Sequence, residues 1–286
     1  MLGAITGDII GSVYEVQNLR TNFPMKSEKF KLYSENCSYT DDTVMTCAIA
    51  NACVKYATSK NLEKFKENCI NEMRYLGQTH INAGYGGGFI RWLLSENPKP
   101  YGSYGNGSAM RVSPVAYVSD SLEECEILAK ISASVTHNHP EGIKGAQAVA
   151  GSIWLLIHGK SKEDIRKYVE KYYDMNFNLD NIREDYRFDV TCQGSVPEAI
   201  EAFLEGKDFI DCVRKSISMG GDADTMAAIT GSLAEAYYGI PKKIMKKSES
   251  YLDKQLKNSI KNFYDIVSFD KIKLFTTENF SVHHHK

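Results

Sequence analysis

Residues 3–15 read GAITGDIIGSVYE, with glycines at positions 3, 7 and 11. A four-residue spacing returns to one face of an α-helix, and glycine on that face lets a second backbone come close. The stretch therefore predicts a central helix over residues 2–15. Asp8 lies inside its apolar run and no basic leader precedes it, so it reads as neither a signal nor a transit peptide.

Outward from this helix, helical signals continue along the chain and alternating strand patterns are nearly absent. Helices are expected near 42–58, 61–77, 86–95, 121–135, 140–158, 161–174, 196–205, 208–218, 223–238 and 241–258. Ser121 with Glu124, and Ser195 with Glu198, have capping-box spacing, and Pro140, Pro197 and Pro241 fall where a first helical turn accepts proline. The fold class expected is all-α. No repeat of solenoid length occurs. The segments 17–38 and 174–194 mix charged, aromatic and polar residues without periodicity and read as surface loops or lids. Neither resembles a linker, so one domain over 1–270 is expected, followed by a tail at 271–286 whose end, TTENFSVHHHK, reads as frayed.

Composition bounds the function. At 286 residues and 43% hydrophobic, the chain can bury a sizeable core, which excludes disorder. With 34 basic against 36 acidic residues, no global positive field draws nucleic acid. The longest uncharged run, Gly145 to Gly159, has 15 residues, short of the roughly 20 of a membrane span. Seven scattered cysteines without a C-x-x-C pair read as free thiols filling a core in a reducing, cytoplasmic compartment.

Three segments are uncharged around their whole circumference, Thr43–Val54, Gly145–Gly159 and Thr225–Ala234, and belong in a core. Polar clusters stand at or near their amino ends: Thr40-Asp41-Asp42, His137-Asn138-His139 and Asp222-Ala223-Asp224-Thr225. Residues two apart on a regular helix diverge, so Asp222 and Asp224 can share a ligand only in the turn entering the helix, where Gly220-Gly221 frees the backbone. Helix capping accounts for one acidic residue at each start. Two carboxylates and a hydroxyl at both starts suit a cation as well, and oxygen-only donors select Mg²⁺ or Mn²⁺ over zinc. Glu15 ends the glycine-lined helix; it reads either as a solvated helix-end glutamate or as a fifth carboxylate. Spacing alone leaves both readings standing.

The blocks GAITGDIIGSVYE at 3–15, YTDDT at 39–43, GYGGG at 84–88, SYGNGSAMR at 103–111, THNHP at 136–140 and GGDADT at 220–225 together resemble the ADP-ribosylglycohydrolase family. The resemblance spans residues 3 to about 240 and keeps the family's order. It implies an all-α orthogonal bundle with two divalent cations, Mg²⁺ or Mn²⁺, in a central cleft. It makes Thr40, Asp41, Asp42, Asp222, Asp224 and Thr225 the ligands, with Glu15 beside them. Five carboxylates would then face four positive charges. Gly84, Gly86, Gly87 and Gly88 would cradle a diphosphate, Ser103, Tyr104, Asn106 and Gly107 a second phosphate, and His137 would touch substrate. Tyr85 or Tyr104 is a candidate to stack on adenine. Arg111 reads as a buried ion pair tying its loop to the core, and KKIMKK at 242–247 as a solvated helix face.

The implied reaction is hydrolysis at the anomeric carbon of an ADP-ribosyl adduct on a protein or small molecule, releasing ADP-ribose. Glu15 is the expected proton acceptor for water, with Asp41 or Asp224 in reserve. No Asp or Glu occurs between Asn97 and Ser119 to offer another. Arginine is the leading leaving group by analogy with bacterial-type members; serine and nucleic-acid adducts are alternatives, nucleic acid entering only as modified substrate. The rival readings are a non-catalytic relative, which binds ADP-ribose or serves structurally as in lens crystallins, and a two-metal nucleotide pyrophosphohydrolase.

Overall fold

A computed structural model describes residues 1–21 and 23–267. Among the described residues fifteen helices follow one another: α1 (Leu2–Arg20), α2 (Asp41–Ser59), α3 (Leu62–Thr79), α4 (Gly87–Leu94), α5 (Gly107–Met110), α6 (Val115–Val118), α7 (Leu122–Ser134) and α8 (Pro140–Ile157) form the first part. The second comprises α9 (Lys162–Val169), α10 (Leu179–Ile182), α11 (Val196–Glu205), α12 (Phe209–Ile217), α13 (Ala223–Tyr238), α14 (Lys242–Glu249) and α15 (Lys254–Ile266). The fold is all-α and a single domain. Among the described residues, the one isolated β-bridge joins Gly105 to Thr191.

The glycine face of α1 packs on α13. A Cβ added at Gly3 would lie 2.1 Å from the Gly231 carbonyl oxygen, one at Gly7 1.9 Å from that of Ala227, and one at Gly11 2.5 Å from that of Ala223. The register runs down one helix as it runs up the other, so the two are antiparallel and touch backbone to backbone. Each glycine costs about 1 kcal/mol of helix propensity against alanine, so the close approach has to return that through packing. At the far end Glu235 of α13 accepts from the buried Met1 ammonium (2.6 Å) and from the Gly3 amide (2.7 Å). This contact sets the carboxyl end of α1, with Glu15, beside the amino end of α13.

The three uncharged segments enter the core as expected: most of α2 and α8 and nearly all of α13 are buried. All seven cysteines are buried and unbridged. Among the described residues, no helix is long and apolar enough to cross a membrane.

Several local expectations need correction. Helix α1 continues to Arg20, so the irregular segment starts after it, not at Gln17. The helix expected at 161–174 stops at Val169, and that expected at 241–258 is two, divided where Leu252 turns into the core and Asp253 caps α15 through the Leu256 amide. The single-turn helices α5, α6 and α10 are too short for periodicity to reveal. Ser121 caps α7 through the Glu124 amide, but the Glu124 carboxylate reaches back to the amide of Asp120. Ser195 makes no cap; its hydroxyl donates to the Thr191 carbonyl at 2.7 Å. A complete capping box is formed by Ser161 with Asp164 on α9. The proposed tail at 271–286 lies outside the described residues.

If the α1–α13 contact is as tight as these distances require, Gly7→Ala destabilises the protein by about 1–3 kcal/mol despite alanine's better helix propensity. Urea unfolding measures this; an unchanged or raised midpoint would contradict the contact.

Candidate active site

Two helix starts and one helix end converge. Asp222 precedes α13 with non-helical backbone (φ −69°, ψ 82°) and makes no side-chain cap, while Asp224 and Thr225 occupy the first turn. Gly220, at φ 71°, supplies the left-handed residue that brings the chain into this turn. The two aspartates converge there as the spacing predicts: carboxylate oxygens of Glu15, Asp222 and Asp224 lie within 4.8 Å of one another.

At the start of α2, Thr40 is the N-cap and Asp41 and Asp42 form the first turn. An unforeseen residue organises this end. Asp8, fully buried on α1, accepts from the Thr40 amide (3.0 Å) and hydroxyl (2.8 Å), the Thr43 amide (3.1 Å) and the Thr43 hydroxyl. Oxygens of Asp8, Asp42 and Asp224 also lie within 4.8 Å of one another. The site thus holds six carboxylates where the sequence reading counted five. The available signal was a lone charge between Gly7 and Gly11 on an otherwise apolar helix face, where only a satisfied carboxylate can persist.

Among the described residues, no lysine or arginine pairs with any of the six. Burial first, then repulsion from Asp224, pushes the Asp8 carboxyl up to about 7 and those of Glu15 and Asp41 up to about 8. The same causes hold Asp42 and Asp222 well above the usual carboxylate range. Oδ1 of Asp42 is buried without a hydrogen-bond partner. A crowded all-oxygen donor set with an orphaned buried oxygen fits hard divalent cations. The Thr225 hydroxyl, 3.2 Å from Asp42, and the Thr40 hydroxyl belong to the same set.

Above the carboxylates opens a cleft of about 430 Å³. Gly84, Gly86, Gly88, Ser103, Asn106, Gly107 and His137 line it, together with Glu15, Asp41, Asp42, Asp222, Asp224 and Thr225. Gly84 takes φ 106° with Asp41 directly beside it. Gly86 and Gly87 form the start of α4, whose free amides suit an anion. Gly87 and Tyr104 do not line the cleft: the Tyr104 ring is half exposed and packs on His139, centroids 5.3 Å apart. Tyr85 is buried against Phe89 and has no face free for adenine.

Asn106 has a different task from the one its motif suggests. Its amide donates to Asp222 (2.8 Å) and to the Ser195 hydroxyl (3.2 Å), fixing the carboxylate from the side of the 103–107 segment. His137 is buried, with Nδ1 2.6 Å from the Thr136 hydroxyl. Burial, then the charge of Arg111, pushes it well below its usual value, so it faces the cleft as a neutral imidazole. The N-cap of α8 is His139, which accepts from the Glu141 amide. Arg111 is buried as expected but forms no ion pair among the described residues; it donates to the Ser132 carbonyl (3.0 Å) and the Thr136 hydroxyl (2.9 Å), and also lines the cleft. Leu19, Phe188 and Val190 form an apolar wall from the two irregular segments and their flanks.

The ADP-ribosylglycohydrolase family model matches residues 1–268. The chain belongs to this family. It is similar to ADP-ribosylhydrolase ARH3 of Homo sapiens, 26% identical with 88% of each chain covered. ADP-ribosylarginine hydrolase Tri1 of Pseudomonas putida (strain GB-1) is 28% identical, covering 84% of this chain and 70% of the relative. A solved structure described as an ADP-ribosylglycohydrolase-related protein complex superposes with a TM-score of 0.64 at 22% identity, over 93% of this chain and 97% of the other, a likeness of fold.

A family cleft crowded with uncompensated carboxylates has a pH signature. Their folded values lie above the ordinary 3.8 and 4.5, so the folded state holds protons that the unfolded state has lost. The resulting penalty is absent below about pH 4 and complete above about pH 8. With chelator present, the melting temperature is expected to fall from about pH 5 to about pH 8, and Mg²⁺ or Mn²⁺ to restore it most at the alkaline end. Differential scanning calorimetry over that range is the check; a chelated midpoint that climbs with pH would overturn the charge assignment.

Proposed function

We propose that this chain hydrolyses the bond at the anomeric carbon of the distal ribose in an ADP-ribosyl adduct and releases ADP-ribose. The observation that carries the reading is the meeting of Glu15 with the acidic starts of α2 and α13 at the floor of a glycine-lined cleft. Thr40, Asp41, Asp42, Asp222, Asp224 and Thr225 would hold two divalent cations, Mg²⁺ or Mn²⁺. Bound there, such ions supply Lewis acidity toward sugar hydroxyls and water.

The protein's own groups divide the rest of the work. Glu15 is half-buried at the cleft wall, with a carboxylate oxygen within 4.8 Å of those of Asp222 and Asp224, and is placed to take a proton from water. The acidic floor favours positive charge developing on the sugar in an oxocarbenium-like transition state. Amides of the 84–88 segment and the start of α4 are suited to the diphosphate, and neutral His137 can hydrogen-bond substrate without adding charge. Asn106 keeps Asp222 in place from the 103–107 segment, so substrate loop and acidic floor move together. Arginine is the leading linkage, supported by the likeness to a relative named an ADP-ribosylarginine hydrolase. Seven buried, unbridged thiols agree with a reducing, cytoplasmic setting.

The test incubates the protein with arginine-, serine- and nucleotide-linked ADP-ribose, with Mg²⁺, Mn²⁺ or chelator, and follows the products. Free ADP-ribose is expected from at least one substrate, and Glu15→Gln should lower kcat by about a hundredfold to ten-thousandfold. Release of AMP and ribose phosphate would indicate a pyrophosphohydrolase instead. Tight binding of ADP-ribose with no release from any adduct would indicate a non-catalytic binder.

A further inference from the structure

Lys26 lies outside every motif singled out in the sequence. Its half-buried ammonium uses its N–H donors on backbone carbonyls from separate parts of the chain: Arg183 (2.5 Å), Tyr186 (2.8 Å) and Met219 (2.6 Å). Met219 immediately precedes Gly220 and Gly221, the turn that delivers Asp222 and Asp224. Arg183 and Tyr186 begin the strip that ends in Phe188 and Val190, the apolar wall of the cleft.

The same turn is pressed and tied by the segment around Lys26. A Cβ at Gly220 would meet Pro24 Cβ at 2.9 Å and Lys26 Cε at 3.0 Å. Asn18 donates to the Gly221 carbonyl (2.7 Å) and accepts from the Met25 amide (2.8 Å). Three backbone segments with no direct covalent reason to stay in register therefore meet at one cation, and hydrogen bonds from a charged donor are the stronger kind.

We propose that Lys26 is a positioning residue that clamps the acidic turn at 219–222 to the wall segment at 183–190, so that the floor and the apolar wall of the cleft hold a fixed separation. Its effect on cation affinity rests on the reading of the acidic site given above; the clamp itself does not. A purely global stabilising role predicts something else, because the 23–33 segment keeps other anchors. Arg214 donates to the carbonyls of Glu28 and Phe30, and Tyr14 to that of Lys31. Loss of Lys26 should therefore loosen two local segments and leave the helices protected.

Hydrogen exchange on cation-free protein tests this without substrate. In Lys26→Met, amides of 183–188 and of 219–222 are expected to exchange about tenfold faster, with α2, α8 and α13 beyond its first turn unchanged. Lys26→Arg should restore most of the protection. In the same variants, Mn²⁺ titrated by calorimetry should bind about tenfold more weakly to Lys26→Met than to wild type. Should Lys26→Met fail to fold, Lys26→Gln, which keeps two N–H donors, should show an intermediate acceleration in both segments. Wild-type exchange in either segment, or acceleration spread uniformly over the helices, overturns the clamp. Hydrolysis of no ADP-ribosyl substrate by wild type would sink the proposed function and leave the exchange result to decide the clamp by itself.

Discussion

Everything at the cleft depends on how closely α1 and α13 approach. Small residues four apart on both helices, Gly3, Gly7 and Gly11 against Gly231, Ala227 and Ala223, let the backbones meet without side chains between them. Because the pair is antiparallel, this contact also sets a longitudinal register. Glu15 must then lie beside Asp224, and Asp8 must lie under the start of α2. A larger residue anywhere along the seam would separate the carboxylates that the site requires together.

That concentration of charge is costly, and the fold manages it in two ways. Asp8 spends its oxygens on two amides and two hydroxyls at the start of α2, so one member of the cluster is satisfied by the protein itself. The others face each other and the cleft, with no lysine or arginine in ion-pair reach among the described residues. Asn106 steadies Asp222 from outside the cluster, but a neutral amide offsets no charge. Bound cations would relieve that repulsion, and their binding would then be linked to pH and to folding.

Much of this was legible in one dimension. The glycine spacing, the three uncharged helices and the Gly-Gly before Asp222 each carry a local physical constraint that a linear reading can recognise. Asp8 was missed because its role is defined by partners more than thirty residues away; as a sequence feature it is one charge in an apolar run. Tyr85 was misjudged for the same kind of reason, since only packing against Phe89 shows that its ring is covered. Ser195 has capping-box spacing, yet the nearby Thr191 carbonyl and Asn106 claim its hydroxyl. Local propensity lost wherever a tertiary partner offered a better bond.

The amino-acid order alone determined that the chain is helical, which helices are buried, and which helix starts are acidic, because periodicity, capping and burial are set by near neighbours. Only the tertiary structure decided that Glu15 and Asp8 join those acidic starts, that Asn106 serves Asp222, and that Lys26 spans three segments. Hydrogen bonds and charge repulsion act over a few ångströms of space, and separation along the chain does not encode which groups will be that close.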